Sequence, residues 1–216
     1  MSSLVLARLA FFYVNEPVCE MREKPTVQSE VVSGAYYSER LHVLETLGDW
    51  LHVQTAVDGY KGWVPKRVVH QSGVELHKNP DVQIAKVKCV SALLYDKKDT
   101  AYGPVLHLPF ESRLEVQEIV DSRWIAVRQI DGKVGYIQRG CISIDDKAYT
   151  MQEIVALADQ FLGLPYTWGG RSGFGYDCSG FVQMLYRQMH ILLPRDSKDQ
   201  INYSGFTATT REALKP

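Results

Sequence analysis

An internal repeat constrains this chain more than any other feature. Ser38-Glu-Arg-Leu41-His-Val43 returns as Glu111-Ser-Arg-Leu114-Glu-Val116, and Gly48-Asp-Trp50-Leu-His-Val53 returns as Ser122-Arg-Trp124-Ile-Ala-Val127. Asp58-Gly59 followed by Gly62-Trp63-Val64 returns as Asp131-Gly132 followed by Gly135-Tyr136-Ile137. The offset barely changes across the three blocks, so the spacing predicts two copies of one unit. Within each copy short apolar runs alternate with turn residues, and Asp-Gly between β-rich runs is a hairpin signal. Such turns every ten or so residues predict a small β-barrel or sandwich. The connection between the copies is read as Gln71–Gln83, with Gly73, Asn79 and Pro80. The repeated Trp and Tyr residues are read as barrel core or hairpin packing, with an aromatic-lined groove as the alternative.

Composition narrows the function. At 45% hydrophobic and 23% charged residues the 216-residue chain can bury real cores. A net charge of −1 gives no basic footprint for nucleic acid and no polybasic patch for a membrane. The four cysteines (Cys19, Cys89, Cys141, Cys178) include no CxxC pair, and the six histidines include no HxxxH or HxH. That spacing argues against structural zinc, and no metal or other cofactor is expected. A disulfide framework is neither required nor excluded. The apolar N-terminus Met1–Val14 has no cationic start, is interrupted by Arg8, and is too short to span a bilayer. It is read as a first strand or a packing segment. The lack of a clear export signal favours a cytoplasmic location, with export left open, and the oligomeric state does not follow from the sequence.

The character changes after Ile142–Tyr149. Thr150-x-x-Glu153 makes a capping box, and Ile154, Leu157, Ala158, Phe161 and Leu162 recur at helical spacing, predicting a helix over Met151–Leu162 stopped by Gly163. Leu164-Pro165 then leads into Tyr166–Gly180, a glycine-rich loop holding Cys178. A second helix is predicted from about Ser179, with Phe181, Val182, Leu185, Tyr186 and Met189 as its apolar stripe and Pro194 as its end. A polar run continues to Asn202, and Thr209–Leu214 reads as a short third helix. A thiol in the first turn of a helix meets unpaired N–H groups and the positive end of the dipole, which favours the thiolate. Those N–H groups could also serve an oxyanion. A small buried cysteine serving packing alone fits the same position.

The repeats, over about Val18–Ile142, resemble bacterial SH3-like (SH3b) domains. Gly163-Leu-Pro165-Tyr166-x-Trp168-Gly169-Gly170, then Asp177-Cys178-Ser179-Gly180-Phe181-Val182 and Leu193-Pro-Arg195-Asp-Ser197, resemble the NlpC-type family of bacterial cell-wall cysteine peptidases. The resemblance implies an α+β chain: two small SH3-like β-barrels (1–70 and 84–142) followed by a papain-like (NlpC-type) domain (150–216). It implies a peptidoglycan stem-peptide endopeptidase that cuts the γ-D-glutamyl–diamino acid bond. The double-SH3b architecture resembles a subgroup acting on muropeptides with a free N-terminal L-Ala. By motif, Cys178 matches the nucleophile and Tyr166 a site-lining residue that assists at the oxyanion. Asp177 and Ser179 match residues that hold the stem peptide, with Arg195 and Ser197 at the neighbouring rim.

One part of that pattern is missing. The family draws its general-base histidine from strands that follow a Leu-x-Pro like Leu214-Lys-Pro216, where this sequence stops. The one histidine after Cys178 is His190. On a shared helix it would stand about 18 Å along the axis, against roughly 3 Å for a working pair. The expectation is therefore a C-terminally truncated peptidase domain, inactive by itself, with no base among these residues. The alternative is a non-catalytic peptidoglycan-binding module built on the SH3b domains and a degenerate peptidase half.

Overall fold

The computed structural model describes residues 10–213. Met1–Leu9, the first part of the apolar N-terminal segment, and the Leu214-Lys-Pro216 motif lie outside the described residues.

The strands of the first repeat are β1 (Phe11–Val14), β2 (Val18–Arg22), β3 (Val31–Tyr36), β4 (Arg40–Leu47), β5 (Trp50–Thr55), β6 (Lys61–Pro65) and β7 (Val69–Ser72). Those of the second are β8 (Ile84–Val87), β9 (Ser91–Tyr95), β10 (Leu106–Pro109), β11 (Arg113–Ile119), β12 (Trp124–Arg128), β13 (Val134–Gln138) and β14 (Ile142–Ser143). Sheet order is β3-β2-β6-β5-β4-β1-β7 in the first and β10-β9-β13-β12-β11-β8-β14 in the second. Each strand of one occupies the place of its counterpart in the other, so the sequence repeat is a repeat of topology. The irregularities repeat too: β4 bulges between Val43 and Glu45, β11 between Val116 and Glu118. The repeated glycine of the Gly-Trp-Val and Gly-Tyr-Ile blocks has a packing cause. A Cβ on Gly62 would stand 3.0 Å from Met21 Cβ, and one on Gly135 2.9 Å from Leu94 Cδ1.

Alternation puts Leu51, Val53 and Val64 into one core, and Ile125, Val127 and Ile137 into the other. Each such side chain contributes about 1.5–3 kcal/mol through burial. The region read as a connection is built into the junction: Leu76 packs on the second core and its N–H donates to the Tyr13 hydroxyl at 2.8 Å. Across the same junction the Ile130 N–H donates to the Tyr37 hydroxyl and the Arg113 N–H to Ser38 Oγ, both at 3.1 Å.

The remainder is helical and short. In α1 (Met151–Asp159) the predicted capping box forms: Thr150 Oγ1 accepts from the Glu153 N–H, and Glu153 Oε2 from the Thr150 N–H. The helix stops three residues before the predicted Leu162, because Gln160, Phe161 and Leu162 turn onto carbonyls three residues back. A small ribbon, β15 (Arg171–Ser172) with β16 (Gly175–Tyr176), precedes α2 (Cys178–Gln188). α2 ends at Gln188, short of the predicted stop at Pro194. His190, at φ 60°, closes it in a Schellman turn, with the His190 N–H on Arg187 O and the Ile191 N–H on Tyr186 O. The polar run after Pro194 contains a one-turn helix, α3 (Ser197–Gln200), and the predicted third helix is a 3-10 turn over Arg211–Ala213. Among the described residues no helix is long and apolar enough to cross a membrane.

The predicted apolar stripe of α2 is only part of its packed face: Phe181, Leu185 and Met189 are half-buried against the aromatic core, but the fully buried positions are mostly others. Ser179, Gly180, Gln183, Met184 and Gln188 are buried, while Val182 is exposed and Phe181 half-buried. Polar residues can face inward here because both sheets supply partners. Gln183 Nε2 donates to Asp58 Oδ2 (2.9 Å) and Leu193 O (3.0 Å), and Gln188 Nε2 donates to Glu111 Oε1 (2.7 Å). Arg187 grips the same Glu111 through Nε (3.0 Å) and Nη2 (2.6 Å). The helix that begins at Cys178 is thereby held by one carboxylate from each repeat.

Candidate active site

Asp177 is the N-cap of α2: its Oδ1 accepts from the Gly180 N–H at 2.7 Å. That places Cys178, a free thiol, in the first helical position and exposed to solvent. The helix start is braced from behind. Arg195 donates through Nη2 to Asp177 Oδ2 (2.6 Å) and through Nη1 to Asp177 Oδ1 (3.1 Å) and Ser179 Oγ (2.9 Å). Its Nε reaches Ser33 Oγ of β3 at 3.2 Å, so a residue from the first sheet completes the brace. Arg195 and Ser179 are both buried. The glycine after them permits the close approach of loop and helix: a Cβ on Gly180 would lie 2.3 Å from Gly170 O.

Cys178, Asp177 and Tyr166 form a ridge between two cavities and line both. Tyr166 is exposed, and its hydroxyl is pushed up by partial desolvation first, then by the adjoining Cys178 and Asp177. It is therefore a hydrogen-bond donor at neutral pH. The cavity on one side, about 500 Å³, is apolar, walled by Phe161, Leu162, Leu164, Pro165 and Phe181. The one on the other side, about 310 Å³, is polar and reaches the first sheet through Glu30 and Tyr60. Trp168 Nε1 donates to Glu30 Oε1 at 3.0 Å, and the Tyr60 hydroxyl to Asp196 Oδ2 at 3.4 Å. Burial, and then Asp196, push the Tyr60 hydroxyl up to about 12, which keeps its proton in place. Ser197, exposed at the start of α3, also lines this cavity.

All six residues singled out from the motifs are thus brought together: Cys178, Tyr166, Asp177 and Ser197 at the surface of the site, Ser179 and Arg195 beneath it. Glu30 and Tyr60 were not singled out. They lie more than a hundred residues before Cys178 in the chain, and no local pattern marks them. Among the described residues no histidine lines either cavity. His190 sits at the opposite end of α2.

Known proteins resemble this chain in both of its parts. The NlpC/P60 family model matches residues 163–215, and the bacterial SH3 domain model matches residues 18–70. A gamma-D-glutamyl-L-lysine dipeptidyl-peptidase of Bacillus subtilis (strain 168) is 28% identical over 184 residues, which covers 81% of this chain and 57% of that protein. Dipeptidyl-peptidase 6 of Lysinibacillus sphaericus is 24% identical over 222 residues, covering 92% of this chain and 73% of that protein. The chain spans little more than half the length of the Bacillus relatives it matches. The crystal structure of an NlpC/P60 family protein from Bacillus cereus ATCC 10987 superposes with a TM-score of 0.82 at 20% identity, over 95% of this chain and 80% of that one, which shows a shared fold.

Proposed function

We propose that this chain carries the nucleophile side of a peptidoglycan stem-peptide cysteine endopeptidase that acts on the γ-D-glutamyl–diamino acid bond. The observation that carries the reading is the exposed Cys178 on the first turn of α2, beside Tyr166, at the edge of a polar cavity walled by the first sheet. We assign 1–70 and 84–142 to SH3b domains, the second by its shared strand order, and 150–216 to the peptidase domain.

In this reading the Cys178 thiolate adds to the γ-glutamyl carbonyl. Backbone N–H groups of the α2 start and the Tyr166 hydroxyl face the developing oxyanion. Glu30 and Asp196 supply carboxylates to a free N-terminal ammonium group on the substrate, with Tyr60 holding Asp196 in place. Asp177 and Ser197 line the path between that end and the sulfur. Ser179 and Arg195 already spend their hydrogen bonds on the helix start, so they position Cys178 rather than hold the peptide. The names of the relatives fit a dipeptide-releasing activity on γ-D-glutamyl peptides.

A cysteine peptidase also needs a base within hydrogen-bond reach. With no histidine among the described residues in either cavity, this chain by itself is expected to hydrolyse L-Ala-γ-D-Glu-diaminopimelate no faster than buffer, as read by mass spectrometry. Hydrolysis that disappears in Cys178→Ala would overturn that inactivity. Binding tests the recognition half. The dipeptide L-Ala-γ-D-Glu is expected to bind at least tenfold more tightly than its N-acetylated form, because charge-assisted hydrogen bonds contribute about 1.5–3 kcal/mol each. Equal affinities by calorimetry would remove the ammonium subsite. The same open cavity also suits a module that binds such peptides without cutting them.

A further inference from the structure

Two of the four cysteines meet at the end of the second sheet. β8 and β14 pair antiparallel, with Val87 opposite Ile142. The pairing runs one step further, where the Lys88 N–H donates to Cys141 O at 3.0 Å. Cys89 follows immediately, and its thiol reaches the Gly140 carbonyl at 3.9 Å. Opposed residues in such a ladder have Cα atoms about 4.5–5.5 Å apart, and a disulfide bridges about 4.4–6.8 Å. Cys89 and Cys141 stand one residue off direct opposition, but Cys141 closes the 3-10 turn Arg139–Cys141 and not a strand, so the alternation of faces does not separate them, and the two thiols interact. Both are partly open to solvent, whereas Cys19 is buried. Nothing in the candidate active site uses them.

We propose that Cys89 and Cys141 form a redox-active dithiol that closes to a disulfide on exchange with a low-molecular-weight disulfide. Burial, and then the adjacent Cys89 thiol, push the Cys141 thiol up to about 11, which disfavours Cys141 as the first attacker. The Cys89 thiolate attacks RSSR and forms Cys89–S–SR, releasing RS⁻. Cys141 then loses its proton to solvent and attacks the Cys89 sulfur, releasing a second RS⁻. Two protein thiols are oxidised, and one RSSR is reduced to two RSH.

The bond would tie the start of β9 to the segment leading into α1. Val90, next to Cys89, accepts the Phe110 N–H at 3.0 Å and packs on the aromatic core under α1 and α2. Oxidation is therefore expected to stiffen the support of the Cys178 helix without touching the site.

The test is treatment of the full chain in a Cys178→Ala background with oxidised glutathione, followed by alkylation and peptide mapping. The expected result is a Cys89–Cys141 cross-linked peptide, the loss of two hydrogens in the intact mass, and a higher Tm. With Cys141→Ser added, the intermediate is expected to be trapped as a glutathione adduct on Cys89. Stable glutathione adducts without a cross-link, or full alkylation of both thiols under conditions that form disulfides in a control dithiol, would overturn the proposal.

Discussion

Replacing Arg171 with methionine is expected to lower the stability of the protein by about 3–5 kcal/mol, the usual cost of stripping a buried ion pair of one partner. Arg171 leaves the glycine-rich loop at β15 and is buried with only 1% of its side chain exposed. Its Nη1 donates to Glu39 Oε1 (2.9 Å), Glu39 Oε2 (3.2 Å) and Gly34 O (3.0 Å), and its Nη2 lies 3.8 Å from Asp58 Oδ2. The guanidinium stands over the Tyr36 ring. One cation thus serves two buried carboxylates, which respond differently. Burial wins at Glu39 and holds its carboxyl above the ordinary range. At Asp58 burial is outweighed by Arg171 together with bonds from Thr55, Tyr60 and Gln183, and the group is held low. Methionine matches the volume but strands both acids. Adding Glu39→Gln to Arg171→Met is therefore expected to recover part of the loss, a coupling readable in a double-mutant cycle by urea denaturation. A loss below about 1 kcal/mol for the single variant would mean that this cluster does not anchor the loop to the first sheet.

The second large effect is a loss of stability on mild acidification, traced to His77. Its ring is packed edge-on to Tyr13, and neither ring nitrogen has a hydrogen-bond partner among the described residues. Burial pushes the imidazole down from its ordinary 6.5 to about 4, with Glu115 opposing and Arg113 adding to the fall. The unfolded chain takes up this proton near pH 6.5, the folded one only near pH 4. Above pH 6.5 both states are neutral at this site and stability is unaffected. Between pH 6.5 and 4 the unfolded state binds more protons, so stability falls as pH falls, by about 3 kcal/mol over the window. His77 has φ 61°, which asparagine tolerates, so His77→Asn removes the titration and spares the backbone. The difference in unfolding free energy between wild type and His77→Asn, followed from pH 7 to pH 4, is expected to shrink steadily with acidification. A constant difference would place the acid sensitivity elsewhere.

These two residues show where the sequence stops being informative. The strands, their hairpins and the repeat itself are legible because alternation and turn chemistry act over a few residues. The capping box at Thr150 is legible for the same reason. Cys178 stands out because a glycine-rich loop delivers it to a helix start. The apolar part of α2's packed face, Phe181, Leu185 and Met189, is legible, but its polar part is not: Gln183, Arg187 and Gln188 look like a solvated face until Asp58 and Glu111, distant in the chain, are placed against them. His190 stands at the end of α2, as its distance from Cys178 along the helix implies, but its left-handed conformation stops the helix before Pro194. Glu30 and Tyr60 reach the cysteine only because the first sheet docks on the helical region. For the polar face of α2 and for Glu30 and Tyr60 the decisive partner is long-range and polar, and hydrophobic periodicity says nothing about it.

The central claim is that Cys178 is a nucleophile served by a cavity that recognises a free amino terminus. It is tested most directly with an L-Ala-γ-D-glutamyl probe in which a vinyl sulfone replaces the scissile amide, since such an electrophile needs a thiolate and not a complete catalytic set. Intact mass and peptide mapping are expected to show a single adduct on Cys178, absent from Cys178→Ala, and formed at least tenfold faster than with the N-acetylated probe. Modification of another cysteine, no adduct at all, or equal rates for the free and acetylated probes would contradict the account.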